Sequence, residues 1–308
     1  MEYDRQGFAE GPDGTRLFWG VSGEGPAVVL NDGIGCDGFA WKYLQPHLAL
    51  NHQVIHWHYR AHGRSGLPVD AARIDLAAHA RDLLAVMDAV GVDEALLVGH
   101  SMGTQVSLET YRLAPERVRG LVLVCGSYGK VTATFRGSDM LKQVLPALLE
   151  TVERRKGIAR ALWGRIPARL AFRIAKMSKE VDALAIREED FRPYMEHVAA
   201  MEPQIFLAML RHAGEHTAED ILDQIQTPTL VVAAERDTFT PPMLARHMAD
   251  VIPQAELLEL QGASHAAPIE QPVAIQLRVD RFLRERVEGD GTADAADAQA
   301  EPDALAAG

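Results

Sequence analysis

Residues 95–103 read Ala95-Leu96-Leu97-Val98-Gly99-His100-Ser101-Met102-Gly103, a short apolar run that ends in a Gly-x-Ser-x-Gly turn. Behind the turn, Met102–Leu113 carries a helical pattern, so the segment reads strand, tight turn, helix. The glycines have a steric reason. In so sharp a turn a Cβ at Gly99 or Gly103 would meet neighbouring backbone, while Ser101 is pushed into a strained conformation with its hydroxyl exposed. The helix that starts beside Ser101 offers free N–H groups and a dipole that favour negative charge.

Working outward, short apolar runs alternate with helical patterns, the signature of repeated βαβ units. Strands are expected at Leu17–Val21, Ala27–Asn31, Val54–Trp57, Ala95–Val98, Val118–Cys125, Thr229–Ala234 and Glu256–Leu260. Several are apolar throughout, as in a parallel sheet covered on both faces. Leu76–Val90 has helical spacing, with Asp75 placed to cap its start and Gly91 to stop it. Further helices are expected at Pro242–Ile252 and Ile269–Val287. Between Ser127 and Gln226 helices continue but no strand appears. The fold class is therefore α/β, a mostly parallel sheet flanked by helices, with residues 1–126 and 227–287 as the core and 127–226 as an inserted helical lid.

A serine hydroxyl is a weak nucleophile unless a base takes its proton and a third group orients that base. Thr229–Ala234 runs into Glu235-Arg236-Asp237-Thr238-Phe239-Thr240-Pro241, and Glu256–Leu260 into Gln261-Gly262-Ala263-Ser264-His265. Asp237 and His265 both sit just past the C-terminal ends of strands, where an open parallel sheet carries its functional loops. In chain order the three residues run Ser, Asp, His.

In these features residues 8–285 resemble the α/β-hydrolase family, esterase- and lactonase-like members included. The segment Ala61-His62-Gly63-Arg64-Ser65, the Asp237 loop ending at Pro241 and the Gly262-x-x-His265 loop are similar to that family's turns. The resemblance implies a serine hydrolase without cofactor or metal: Ser101 the nucleophile, His265 the base, Asp237 the acid that orients it. It also implies an oxyanion hole from the backbone N–H groups of Met102 and Ile34. Two positions depart from the family pattern. Asp32-Gly33 stands where His-Gly is usual, and a carboxylate aimed into the hole would oppose the developing charge. Asp32 is therefore expected to cap its own loop. His58 stands where Asp is common. With His52, His56 and His62 close in sequence a metal site is conceivable on residue type alone, but no local carboxylate or Cys completes a zinc set, and His58 is expected to be a satisfied surface-loop histidine.

The bulk properties agree with a small-molecule enzyme. Of the 308 residues 47% are hydrophobic, enough for a substantial core, and the formal charge of −12 argues against a nucleic-acid partner. Half of that excess lies in residues 288–308, which hold six acidic and no basic residues. That Ala-, Asp- and Gly-rich tail is expected to be disordered. Cys36 and Cys125 are expected as reduced buried thiols. The polar stretch Met1–Gly14 is not a secretory leader and no stretch is long enough to span a membrane, so a cytoplasmic location is expected. Nine basic residues fall between Arg154 and Lys179, with Ile166, Leu170, Ile174 and Met177 on one helix face and Arg165, Arg169, Arg173 and Lys176 beside it. An ordinary solvated helix is the simpler reading; a face that meets anionic lipid or a carboxylate-bearing substrate is the alternative.

The expected reaction is hydrolysis of a carboxylic ester or related acyl compound, with medium apolar acyl groups favoured by the lid's composition. A C–C bond hydrolase, an acyltransferase and a slow receptor-like binder remain alternatives on the same triad.

Overall fold

In the computed structural model, which describes residues 1–163, 165 and 186–289, eight strands make one sheet. They are β1 Arg5–Glu10, β2 Arg16–Ser22, β3 Ala27–Asn31, β4 Gln53–Trp57, β5 Ala95–His100, β6 Val118–Val124, β7 Thr229–Ala234 and β8 Ala255–Leu260. The order across the sheet is β1-β2-β4-β3-β5-β6-β7-β8. All pairs from β4 to β8 are parallel, whereas β1 and β2 form an antiparallel hairpin laid antiparallel along β4. The seven expected strands are present, two with the expected ends and the others with an end moved by at most two residues. The additional strand, β1, is an edge strand with five of its six residues outside the core, so it needs no apolar run to announce it.

Strand residues alternate between two cores. Val29, Leu97, Leu121, Leu123 and Val231 face one side, with Leu83, Val86 and Met87 of α2 (Leu76–Val90), Val106 of α3 (Met102–Leu113) and Met248 of α9 (Pro242–Val251). Val28, Leu30, Leu96, Val98, Val122 and Val232 face the other, with Leu44 and Leu48 of α1 (Leu44–Leu48) and Ile275, Val279 and Phe282 of α11 (Pro272–Phe282). Each such side chain, fully buried, contributes about 1.5–3 kcal/mol, which is why the central strands are apolar on both faces over most of their length. Helix α2 begins and ends as its sequence indicates: Asp75 Oδ1 accepts from the Ala78 N–H at 2.7 Å, and Gly91 takes the left-handed conformation with φ +82°. The expected final helix 269–287 is instead broken. Pro272, which has no N–H to donate, starts α11 after a short α10 (Ala267–Glu270), and α11 runs on into one π turn, Leu283–Val287.

Arg60, 1% exposed, ties the loop after β4 to α2. Its Nε and Nη2 donate to the two oxygens of Asp82 at 2.7 and 2.6 Å, and Nη1 donates to Asp13 at 3.0 Å. Removing one partner of such a buried pair costs about 3–5 kcal/mol.

Between β6 and β7 the described chain is helical: α4 Val131–Thr134, α5 Met140–Arg154, α6 Lys156–Trp163, α7 Glu188–Ala200 and α8 Pro203–Glu215. Helix α7 is seated on the core through Asp190. This buried carboxylate accepts from Lys42 and from Arg187 Nε at 3.0 Å, while Phe191 packs with Ala266 and Ile269. Of the basic run noted above, Arg154 pairs with Glu150, Lys156 with Glu153 and Arg160 with Glu202. The face formed by Ile166, Arg169, Leu170, Arg173, Ile174, Lys176 and Met177 lies outside the described residues, as does the tail beyond residue 289. No described helix is long and apolar enough to cross a membrane.

A Cβ on Gly103 would lie 2.0 Å from the carbonyl oxygen of Asn31, and one on Gly99 2.4 Å from that of Gly103. These neighbours are backbone and cannot swing aside. Gly103→Ala should therefore lower unfolding free energy in urea by about 3 kcal/mol or more. Gly157→Ala in α6, where a Cβ meets nothing within 4 Å, should raise it by up to about 1 kcal/mol. Equal effects of the two substitutions would contradict this account of the turn.

Candidate active site

Strand order reverses between β3 and β5: β3 continues to β4 on one side, and β5 to β6 on the other. Loops leaving the C-terminal ends of β3 and β5 therefore part and leave a crevice. Ser101 stands there with φ +57° and ψ −119°, a conformation that costs of order 1–3 kcal/mol and presents its hydroxyl to the opening.

The structure brings the three residues singled out from the sequence into one chain of hydrogen bonds. Ser101 Oγ is 3.0 Å from His265 Nε2, and His265 Nδ1 is 2.8 Å from Asp237 Oδ2. A carboxylate only accepts, so the proton of neutral His265 sits on Nδ1 and the Nε2 lone pair faces the serine. Asp237 is buried and fixed by its own turn: Oδ1 accepts from the N–H groups of Phe239 and Thr240 at 2.8 and 2.9 Å. The Thr240 hydroxyl lies 2.8 Å from Oδ2. Two supporting residues escaped the sequence reading. Thr240 follows Asp237 at the spacing of a side-chain-capped turn, a signal that was there to be used. His100 donates from Nε2 to the main-chain oxygen of His265 at 3.0 Å, a contact across 165 residues that no local pattern announces. Phe239, with its ring 4.9 Å from that of His265, covers the imidazole.

The β3 loop comes equally close. A Cβ on Gly33 would sit 3.2 Å from the Cβ of Ser101, and the Cys36 N–H closes a turn onto the Gly33 oxygen at 3.1 Å. Met102 directly follows Ser101 as the first residue of α3, and Ile34 follows Gly33 in the β3 loop. Among the described residues, no hydrogen bond takes the N–H of either. Asp32 does cap its loop, turned from the serine: Oδ2 accepts from the Gly38 N–H at 2.9 Å and from His56 Nε2 at 2.8 Å. His56 Nδ1 in turn accepts from the Tyr3 hydroxyl at 2.7 Å.

One expectation needs correction. His58 is satisfied but is not on the surface: it is 6% exposed, because the β1–β2 hairpin lays Phe18 over it with ring centroids 4.7 Å apart. Its Nδ1 accepts from the Arg64 N–H at 2.8 Å. Each of the neighbouring histidines considered as ligands also has a protein partner, His52 at Glu288 and His62 at Gly35. Cys36 and Cys125 are free and buried, and burial pushes both thiols up.

Residues 26–272 match the family model described as alpha/beta hydrolase fold. The chain belongs to the α/β-hydrolase family. It is 29% identical over 259 residues to a protein of Azorhizobium caulinodans named as a candidate carbamate hydrolase, RutD, an alignment covering 84% of this chain and 91% of that one. An esterase of Thermogutta terrifontis superposes with a TM-score of 0.73 at 23% identity, over 91% of this hydrolase and 98% of that chain. Est816, described as an N-acyl homoserine lactone degrading enzyme, gives 0.66 at 26% identity over 90% and 100%.

Burial also sets how this hydrolase responds to acid. It pushes His58 down to about 2, His62 to about 3, and His79 and His100 to about 4. Unfolded, each would titrate near 6.5. Below about pH 6.5 the unfolded chain therefore binds protons that the folded chain refuses, and stability falls as pH falls toward the folded values. Asp82, which burial pushes up to about 6 against the pull of Arg60, acts in the opposite sense, one group against four. Unfolding free energy from urea titration should drop by about 2 kcal/mol or more between pH 7 and pH 5. Equal stability at the two pH values would contradict the neutral buried state of these rings.

Proposed function

We propose that this chain hydrolyses a carboxylic ester or lactone through an acyl-enzyme on Ser101. The observation that carries the reading is the continuous Ser101–His265–Asp237 chain at 3.0 and 2.8 Å, at the mouth of the strand-order reversal. Ser101 Oγ attacks the acyl carbon while His265 Nε2 takes its proton, and Asp237 keeps Nδ1–H in place and stabilises the imidazolium. The carbonyl oxygen becomes an oxyanion held by the N–H groups of Ile34 and Met102, whose freedom from other acceptors supports this role. His265 returns the proton to the departing alkoxide. Water, activated by the same imidazole, then releases the acid.

The helical segment 127–226 is read as a lid, and it supports an apolar acyl group. Val198, Phe206 and Tyr194 crowd the Gly35 turn, and Phe135 packs on Phe239, 5.1 Å between centroids. A second reading, carbamate hydrolysis, is favoured by the carbamate hydrolase name of the Azorhizobium relative. The same attack would give a carbamoyl-serine in place of an acyl-serine.

Steady-state release of p-nitrophenol from acetate, butyrate and octanoate esters, beside an aryl carbamate, tests both readings. Ester turnover should exceed carbamate turnover, and Ser101→Ala should lower kcat at least about 10³-fold. Equal rates in the two proteins would remove Ser101 as nucleophile. Faster carbamate turnover would favour the second reading.

A further inference from the structure

We propose that His197 of α7 is a positioning residue for the oxyanion hole, holding the Ile34 N–H in register with Ser101 from the lid side. The inference rests on the reading of Ser101 as nucleophile given above. The donor loop needs such a support because of its own sequence. Gly35 follows Ile34 with φ +73°, a residue whose conformational freedom must be frozen if the Ile34 amide is to keep one direction.

Both polar groups of Gly35 are held by imidazoles. Its N–H donates to His62 Nε2 at 3.0 Å, and the other ring nitrogen of His62 donates to the Arg60 oxygen at 3.1 Å. The Gly35 oxygen accepts from His197 Nδ1 at 2.7 Å, while His197 Nε2 accepts from the Gly63 N–H at 2.8 Å. One ring therefore bridges the loops after β3 and β4, and it does so only as the neutral tautomer with its proton on Nδ1. The two imidazoles also pack together, 5.5 Å between centroids.

His62 belongs to the core, but His197 belongs to the segment between β6 and β7. A Cβ on Gly35 would lie 2.8 Å from a methyl of Val198 and 3.2 Å from the ring of Phe206, so α7 and α8 close directly upon this turn. The direction of the Ile34 N–H is thereby made to depend on the seating of the lid. A contact that merely packed α7 on the core would alter stability or substrate binding. A contact that aims the amide alters the transition state, where the oxyanion exists, and leaves ground-state binding alone.

The substitutions form a graded series: His197→Gln keeps a donor and an acceptor, His197→Asn keeps a donor at the Nδ1 position, and His197→Phe keeps only the ring. On p-nitrophenyl butyrate, kcat should fall progressively along the series, by about 10- to 100-fold in His197→Phe. KM should stay within about twofold, and the inhibition constant of a boronic acid that forms a tetrahedral adduct should rise in step with kcat. Wild-type kcat throughout the series, or a loss carried by KM with unchanged boronic acid affinity, would overturn the proposal; any two folded members suffice to decide. Failure of the underlying reaction reads differently, as wild-type turnover unaffected by Ser101→Ala.

Discussion

The end of β3 and the first turn of α3 lie backbone against backbone, so that Gly103 leaves no room for a Cβ beside the Asn31 carbonyl. Asn31 is held there from both sides, donating to Ser107 at 2.9 Å and accepting from Trp57 Nε1 at 2.8 Å. Ser107 in turn donates to the Gly103 oxygen at 2.8 Å. Because the two backbones touch, the loop that continues from Asn31 must pass over Ser101, and the β5 turn must lift Ser101 to meet it. The strained serine, the adjacent amides and the crevice at the strand reversal follow from that one contact, stabilised by the buried strands on both sides of the sheet.

What the sequence made legible was whatever is encoded locally. The apolar strands, the Asp75 and Gly91 ends of α2 and the elbow glycines were each readable because the physics acts over a few residues. Ser101, Asp237 and His265 were readable for a related reason: each follows a strand, so placing the strands placed them too. Strand β1 was not readable because an edge strand carries no buried run. The burial of His58 has no local signal because its cover, Phe18, comes from a hairpin 40 residues earlier. Thr240 had a local signal, whereas His100, His62 and His197 did not. Their partners lie in other loops, and an imidazole looks the same in a sequence whether it is solvated or buried.

The distribution of histidines gives the site a consistent electrostatic logic. His58, His62, His79 and His100 are held neutral by burial, and so act as fixed hydrogen-bonding groups and not as charges. His56 meets the Asp32 carboxylate with a donor at 2.8 Å, which keeps this acidic side chain of the β3 loop committed away from Ser101. The result is an opening beside the serine whose nearest backbone donors, at Ile34 and Met102, face no competing carboxylate from Asp32. A site of this kind stabilises charge only as it develops, because little has to reorganise when it appears.

The central claim is that Ser101 is a nucleophile activated by His265. The most direct measurement is intact-mass and peptide mapping after exposure to a p-nitrophenyl phosphonate ester, which leaves a stable adduct on an activated serine. The account predicts a single adduct per chain, on Ser101, formed at least about 100-fold more slowly in His265→Ala. An adduct on another residue, or labelling of Ser101 at the same rate without His265, would contradict it.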